Sequence, residues 1–229
     1  MTESAISAVA ALDDALRREM YLFIRQAHQP VTRDQAAASV GISRKLAAFH
    51  LDKLVDAGLL RAHYGQVGGI RKVGRKPKLY EPTDTDFHVT IPERRHAMLA
   101  DILIDAVLTE GKDENAHQAA IRAATTHGEE LGTAERDQVK GRLGAERALT
   151  LCEGVLVRNG FEPTRESPTC VRLRNCPFHP LAARATDLVC GMNHAFLTGM
   201  LTGLDAASIR AILTPRPGEC CVELRSAGD

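Results

Sequence analysis

The sequence predicts an α+β fold, and three observations support this prediction. Capped segments with helical periodicity occupy residues 12–58, and short alternating segments with several glycines follow them. Two further helical stretches fill the middle of the chain. Short strands then alternate with helices towards the end, where all six cysteines lie. This order predicts three regions, 1–86, 87–142 and 143–229.

Composition narrows the class of protein. Of 229 residues, 44% are hydrophobic and 25% charged, as in globular proteins with packed cores. The 29 Lys and Arg residues balance 29 Asp and Glu residues, so the whole molecule has no net attraction to nucleic acid. Aromatic residues make up only 4%, which disfavours a base-stacking binder of single strands. The sequence shows neither a membrane-spanning run nor a signal segment, so we expect a cytoplasmic protein with no membrane partner.

The first region predicts three helices with defined ends. Apolar residues recur at helical spacing from Leu12 to Ile24, before Pro30. Thr32 is placed to cap a short second helix that ends near Gly41. Ser43 is placed to cap a third, RKLAAFHLDKLVDA, that ends at Gly58 and presents one apolar face. The residues of that face are Ala47, Leu51, Leu54 and Val55.

A basic β-hairpin is predicted after the third helix. The segment LLRAHYGQVGGIRKVGRKPKLYEPT has short alternating stretches on either side of a glycine-rich tip at Gly65, Gly68 and Gly69. It is rich in cations and contains no acid between Arg61 and Lys78, so we expect the tip to repel itself unless phosphates neutralise it. The cations of the tip are Arg71, Lys72, Arg75, Lys76 and Lys78.

Two helices joined by a short turn that contains glycine form the arrangement of a DNA-binding helix-turn-helix. Such a motif places the first turn of its second helix at the edges of the bases. The expected base-contacting residues are Ser43, Arg44 and Lys45, while the hairpin cations would hold phosphates. If the basic stretch is considered without the preceding helices, the alternative to DNA binding is an ordinary solvent-exposed loop of charged residues. The segments ISRKLAAFHLDKLVDAGLL and GRKPKLYEPT resemble the winged helix of ArsR-like bacterial transcriptional regulators, over about residues 10–85. The resemblance implies binding to double-stranded DNA.

The middle region, 87–142, predicts a helical connector. A helix opened by Pro92 would bury Ala97, Ile102 or Leu103, Ala106 and Val107, and a second helix follows it. The polar stretch from residue 132 to 144 predicts a mobile turn. We expect these helices to pair two copies of the chain, because palindromic operators match two-fold symmetric proteins.

The last region predicts a cysteine site on short strands and helices. Cys176 would end a strand, Cys190 would lie in a long helix, and Cys220 would begin a strand. In a reducing compartment, these cysteines are expected to act as metal ligands or redox sensors and not as disulfides. No Cys-x-x-Cys pair occurs, which disfavours zinc ribbons and thioredoxin-like sites.

Three short motifs carry a second resemblance. Asn-Cys-Pro-Phe at Cys176, Val-Cys-x-Met-Asn at Cys190 and the segment that begins at Cys220 resemble the sensor domain of SufR-type regulators. Those regulators are winged-helix repressors of iron–sulfur cluster assembly operons. The resemblance implies an iron–sulfur cluster of the 4Fe–4S type held by Cys176, Cys190 and Cys220. It also implies a homodimeric repressor on a palindromic operator, and not an enzyme.

Several alternatives stay open at this point. A strand would point Cys220 and Cys221 to opposite faces, so only one of them, Cys220, is expected to bind the cluster. A zinc or other transition-metal sensor, a thiol-redox sensor and a thiol enzyme or cluster-transfer module are the competing functions. Cys152, on an apolar helical face, is expected to be a core residue. The fourth ligand is open among His179, His194, Cys170, Cys221 and an exogenous thiol.

Overall fold

The computed structural model describes residues 3–65 and 76–226. Within these ranges the chain is a mixed α+β protein with two small antiparallel sheets, as the sequence predicted. It divides into two compact units, Met1–Thr90 and Ile91–Asp229. No helix of the described ranges combines the length and the apolar character needed to cross a membrane.

Side-chain caps set the helices of the first unit. Thr32 and Gln35 form a reciprocal capping box at the start of the third helix, and Ser43 accepts the Leu46 N–H at the start of the fourth. Both caps were predicted. Asp14 caps the predicted first helix, which begins at Ala15 and not at Leu12, and the helix before it was not predicted. The helices are α1 (Glu3–Ala11), α2 (Ala15–Gln26), α3 (Arg33–Ser39) and α4 (Arg44–Asp56).

A three-stranded antiparallel sheet of order β1-β3-β2 completes the first unit. Its strands are β1 (Val31–Thr32), β2 (Leu60–Tyr64) and β3 (Lys78–Pro82). Register pairs Arg61 with Glu81 and Tyr64 with Lys78, which confirms the two predicted arms of the hairpin. The predicted tip, with Gly68, Gly69, Arg71, Lys72 and Arg75, lies outside the described residues.

The first unit has one hydrophobic core. The predicted face of α4 is inside it: Ala47, Leu51 and Leu54 are buried, and Val55 packs against their neighbours. These residues recur every three or four positions, so one side of α4 faces the core and the other faces solvent. The exposed side begins at Ser43, Arg44 and Lys45.

The second unit combines helices with a four-stranded antiparallel sheet of order β4-β5-β7-β6. Its helices are α5 (His96–Leu108), α6 (Ala116–Arg136), α7 (Ala145–Arg158), α8 (Leu181–Arg184) and α9 (Thr186–Gly203). Its strands are β4 (Pro163–Ser167), β5 (Cys170–Leu173), β6 (Ile209–Leu213) and β7 (Val222–Ser226). The sequence did not predict β4, and it predicted α8 and α9 as one helix, which breaks at Ala185.

Glycines bring α6 and α9 into backbone contact. A Cβ atom on Gly128 would lie 2.0 Å from the Phe196 carbonyl oxygen, and one on Gly199 would lie 2.1 Å from the Thr125 carbonyl oxygen. Gly132 and Gly203 make equally close approaches. The polar turn predicted from residue 132 is therefore wrong at its start, because α6 continues through Gly132 to Arg136.

The predicted connector folds as part of the second unit. Its helices α5 and α6 share one buried core with α7 and α9. On α5 the core takes Leu99, Ile102 and Ala106, whereas the predicted Ala97 and Val107 are exposed. The predicted burial of Ile102 and Ala106 is confirmed, and the helix begins at His96 and not at Pro92.

Gly199→Ala tests the contact between α6 and α9. The added methyl group would overlap the Thr125 carbonyl, and we expect the free energy of unfolding to fall by about 3 kcal/mol or more. Gly154→Ala on α7 is the matched control, because its Cβ would meet only Arg158 Nη1 at 3.5 Å. Removing a helical glycine there should raise stability by about 0.5–1 kcal/mol. Urea unfolding measures both, and equal effects at the two positions would contradict the packing described.

Candidate thiol site and cationic surface

Four of the six cysteines come together in the second unit. Cys176 lies in the turn after β5, Cys190 lies on α9, and Cys220 and Cys221 lie just before β7. Hydrogen bonds link Cys176 with Cys220, Cys220 with Cys221, and Cys221 with Cys190. The structure thus brings the three predicted ligands into one group that also contains Cys221. We refer to these four residues as the thiol site.

Backbone and side-chain contacts fix Cys176. The Asn175 amide donates to the Gly160 carbonyl at 2.7 Å and to the Glu93 carbonyl at 3.0 Å. Arg94 donates to the Cys176 carbonyl at 2.9 Å. The turn that carries Cys176 is therefore tied to the loop before α5 and to the end of α7, so its sulfur has little freedom to move away.

A buried ion network fixes the segment before Cys220. Arg172 on β5 is almost fully buried and donates to Glu219 at 2.8 Å and to Glu223 at 2.7 Å. Glu219 directly precedes Cys220, whose N–H donates to the Leu173 carbonyl at 2.9 Å. Removing one partner of such a buried pair costs about 3–5 kcal/mol, so the network holds Cys220 firmly against β5.

The adjacent cysteines do not point to opposite faces, which corrects the sequence prediction. β7 begins at Val222, so Cys220 and Cys221 lie in irregular backbone where strand alternation does not apply. The Nδ2 atom of Asn193 lies 3.1 Å from the Cys220 sulfur and 3.9 Å from the Cys221 sulfur. Both thiols therefore face α9.

The four thiols divide into two kinds. A hydrogen bond from Cys220 lowers the pKa of Cys176, and another lowers the pKa of Cys221 to about 6. Burial, together with the hydrogen bond to Cys221, raises the pKa of Cys190 to about 12. Hydrogen bonds to Cys176 and Cys221 raise the pKa of Cys220. At neutral pH, Cys221 is therefore mainly thiolate, whereas Cys190 is protonated.

Asn193 was not predicted as a site residue. Its side chain is fully buried, and its Oδ1 atom has no hydrogen-bond partner among the described residues. It lies three positions after Cys190 on α9, so both side chains project from one face of the helix. The sequence contained this signal, since an Asn and a Cys at that helical spacing share a face.

The other candidate ligands lie elsewhere. Cys152 is buried in the core, where desolvation raises its pKa to about 12, as expected for a core residue. Cys170 lies 3.9 Å from a Glu166 carboxylate oxygen. The His194 ring lies 3.2 Å from the Ala211 carbonyl, and His179 is exposed. Along residues 3–65 and 76–226, no group of three or more His, Cys, Asp or Glu side chains is arranged so that it could hold a metal ion.

The first unit presents cations around the start of α4. Arg44 and Lys45 are exposed, and Arg44 forms an ion pair with Asp34. Lys78 donates to Asp52 at 2.8 Å, which raises the pKa of Lys78. The predicted self-repulsion of the basic segment is therefore relieved at Lys78 by an acid from α4. A cleft of about 410 Å³ lies between these elements, lined by Thr32, Arg33, Asp34, Arg44, Tyr64, Lys76, Pro77 and Lys78.

No protein-family model matches this chain, and a search of curated proteins finds no match. Its function is therefore proposed from the thiol site and the cationic surface.

A pH titration tests the hydrogen bonding in the thiol site. Because the folded pKa of Cys221 is lowered to about 6, its thiolate should form between about pH 5 and 7, whereas an unfolded cysteine ionises near 8.5. Because the pKa of Cys221 is lower in the folded state, its ionisation stabilises the folded state at pH values above the unfolded pKa. This contribution is lost as the pH falls through about 6. Thiolate ultraviolet absorbance, measured without metal or oxygen, reports the ionisation directly.

Cys221→Ser should reduce the absorbance step that occurs below neutral pH. Cys152→Ser is the matched control and should leave this step unchanged, because Cys152 ionises only near pH 12. The same step in both variants would show that Cys221 does not carry the low-pKa thiolate.

Proposed function

We propose that this chain is a homodimeric, DNA-binding transcriptional repressor of the SufR type, whose affinity for its operator depends on an iron–sulfur cluster held by Cys176, Cys190 and Cys220. The observation that carries the proposal is the convergence of those three sulfurs from a turn, a helix and a segment before a strand. The regulated genes would be those of iron–sulfur cluster assembly.

Support for DNA binding comes from the first unit. Under this proposal α3 and α4 form the helix-turn-helix, and β2 and β3 form the wing of a winged helix. The first turn of α4 offers Ser43, Arg44 and Lys45 to bases, and the exposed Lys76 lies at the described base of the wing. Arg44 would exchange Asp34 for a base or phosphate, since exposed ion pairs contribute only about 0–1 kcal/mol.

Support for a cluster comes from the chemistry of the thiol site. Thiolates are the ligands that iron–sulfur clusters require, and the protonated thiols of this site would release their protons when a cluster binds. No acid side chain is hydrogen-bonded to the four sulfurs among the described contacts. A bound cluster would supply sensitivity to oxidants and to iron supply. The residues therefore fit the group that the resemblance implies.

A route from the thiol site to a dimer contact runs through the second unit. Cys190 and Asn193 lie on α9, whose backbone touches α6 through glycines, and α6 packs against α5. Since so close a contact cannot deform gradually, a shift of α9 would move α6 with it. The outer face of α5 exposes apolar side chains that a second copy would cover, namely Leu103, Ile104, Val107 and Leu108.

A zinc or other transition-metal sensor is the second candidate. The observation that favours it is the direct hydrogen bonding among the thiols, because sulfurs this close suit one tetrahedral metal ion. Analysis of the anaerobically purified protein for iron, sulfide and zinc separates the two functions.

Anaerobic DNA-binding titrations test the proposed function. Protein purified without oxygen should contain iron and sulfide and absorb visible light, and its affinity should change about 5–150-fold when air removes the cluster. The probe is a duplex selected from a random-sequence pool by the anaerobic protein. Cys190→Ser should lose the absorbance and the oxygen response, while Cys152→Ser should keep both. A colourless, iron-free wild-type protein that binds duplex DNA equally in air would refute the cluster function.

Substitutions on the cationic surface test DNA binding independently of the cluster. Lys76→Ala should lower affinity for all duplex sequences alike and reduce the slope of log K against log salt by about 0.9. Lys45→Ala should cost about 1–3 kcal/mol on the selected duplex if the side chain reads a base. Lys112→Ala, an exposed change in the second unit, is the control and should alter neither value. Equal salt slopes for all three variants would contradict the proposed DNA surface.

A further inference from the structure

Cys221 lies where a fourth sulfur ligand would lie. Its side chain is 7% exposed and is hydrogen-bonded to the thiols of Cys220 and Cys190. The Asn193 amide reaches its sulfur at 3.9 Å and the Cys220 sulfur at 3.1 Å. One amide group can approach two adjacent sulfurs only when both side chains point to the same side of the chain. The two cysteines therefore share one site.

We infer that Cys221 is the fourth thiolate of the site, so that the metal centre is held by four cysteines, and that Asn193 positions the adjacent pair Cys220 and Cys221 towards Cys190. The inference rests on the metal centre of the proposed function and deepens it. Cys221 would then occupy the fourth ligand position, which an exogenous ligand would otherwise fill.

The placement of the other donors supports Cys221. The His194 ring is engaged by the Ala211 carbonyl on β6, at 3.2 Å. His179 is exposed, and only its backbone N–H contacts Cys176. Cys170 contacts Glu166 and, within the described residues, is not hydrogen-bonded to the thiol site. His194 would need to leave the Ala211 carbonyl and Cys170 would need to leave Glu166 to reach the four sulfurs, whereas the exposed His179 ring has no described hydrogen bond to them.

Metal binding by four thiolates would require the sulfurs to move, because within the described residues no group of donors is already arranged to hold a metal ion. A cysteine sulfur is set by one torsion about the Cα–Cβ bond, so thiol–thiol hydrogen bonds can be exchanged for metal–sulfur bonds by side-chain rotation. Cys190 and Cys220 release their protons when the metal binds, because only thiolates coordinate. The backbone that carries Cys220 stays held by Arg172 and Leu173 during this exchange.

Asn193 has the features of a positioning residue. It is fully buried on α9, and its N–H group points at sulfur while its Oδ1 atom has no partner among the described residues. An N–H group directed at a thiolate stabilises the negative charge, and such contacts influence cluster potentials and ligand orientation. Four thiolates leave no open coordination position on the metal centre, whereas three would leave one.

Cobalt(II) provides a test that does not depend on cluster assembly. Co²⁺ added to the metal-free, full-length protein under anaerobic conditions should show sulfur-to-cobalt charge-transfer bands and tetrahedral ligand-field bands of a four-thiolate site. Cys221→Ser should lower the charge-transfer intensity by about a quarter, to that of three thiolates. The same loss of charge-transfer intensity is expected for Cys176→Ser, Cys190→Ser and Cys220→Ser. Cys152→Ser and Cys170→Ser are the matched controls and should retain the wild-type spectrum.

Asn193→Leu tests the positioning role. It preserves side-chain size and removes the N–H donor, and we expect it to weaken Co²⁺ binding about 10–100-fold while four thiolates remain in the spectrum. Circular dichroism of each metal-free variant checks that it is folded. If Cys221→Ser fails to fold, Cys221→Ala replaces it in the same titration.

The outcomes separate the inference from the proposed function. A wild-type four-thiolate spectrum that becomes a three-thiolate spectrum in Cys221→Ser supports the inference. An unchanged spectrum and affinity in Cys221→Ser, with loss in Cys220→Ser, overturns it and leaves the proposed function standing. Wild-type protein that binds no Co²⁺ also overturns it. Four-thiolate Co²⁺ binding without cluster formation from iron and sulfide supports the inference and refutes the proposed function.

Discussion

The close contact between α6 and α9 is the constraint on which the second unit depends. Glycines at Gly128 and Gly199, and at two further positions, let carbonyl oxygens of one helix lie where a Cβ atom would otherwise be. This approach buries almost the whole inner length of α9 against α6 and the sheet. Cys190 and Asn193 are carried by that buried length. Helix packing therefore places the Cys190 side of the thiol site.

The electrostatics of the thiol site follow from its position between α9 and the ends of the central strands β5 and β7. Burial alone would keep all four thiols protonated, because a thiolate loses its hydration there. Hydrogen bonds from Cys220 and Asn193 offset the cost of burial for the Cys221 thiolate. The Arg172 network holds Cys220 close enough to donate its bond. A buried site in which Cys221 has a pKa of about 6 offers a thiolate to a metal cation, and its protonated thiols would release protons on binding. The proposed sensing function uses this property.

Local sequence was a good guide where one residue decides the structure. The caps at Thr32 and Ser43, the buried face of α4 and the arms of the β2–β3 hairpin follow from side chains that act on their own neighbours. It was a poor guide where distant contacts decide. The stretch from Gly132 was taken for a turn because it is polar, but α6 continues through Gly132, where its backbone packs against α9. The pair Cys220 and Cys221 was predicted to lie in a strand, but β7 begins at Val222, after both cysteines.

The sequence by itself determined the α+β class, the cationic first turn of α4, and the spacing of Cys176, Cys190 and Cys220 along the chain. These properties reside in spacing and residue type, which the chain carries before it folds. Only the tertiary structure decided that Cys221 joins them, that Cys170 and His194 do not, and that Asn193 faces the sulfurs. Those facts depend on which side chains are buried together, and burial arises from packing of elements that are far apart in sequence.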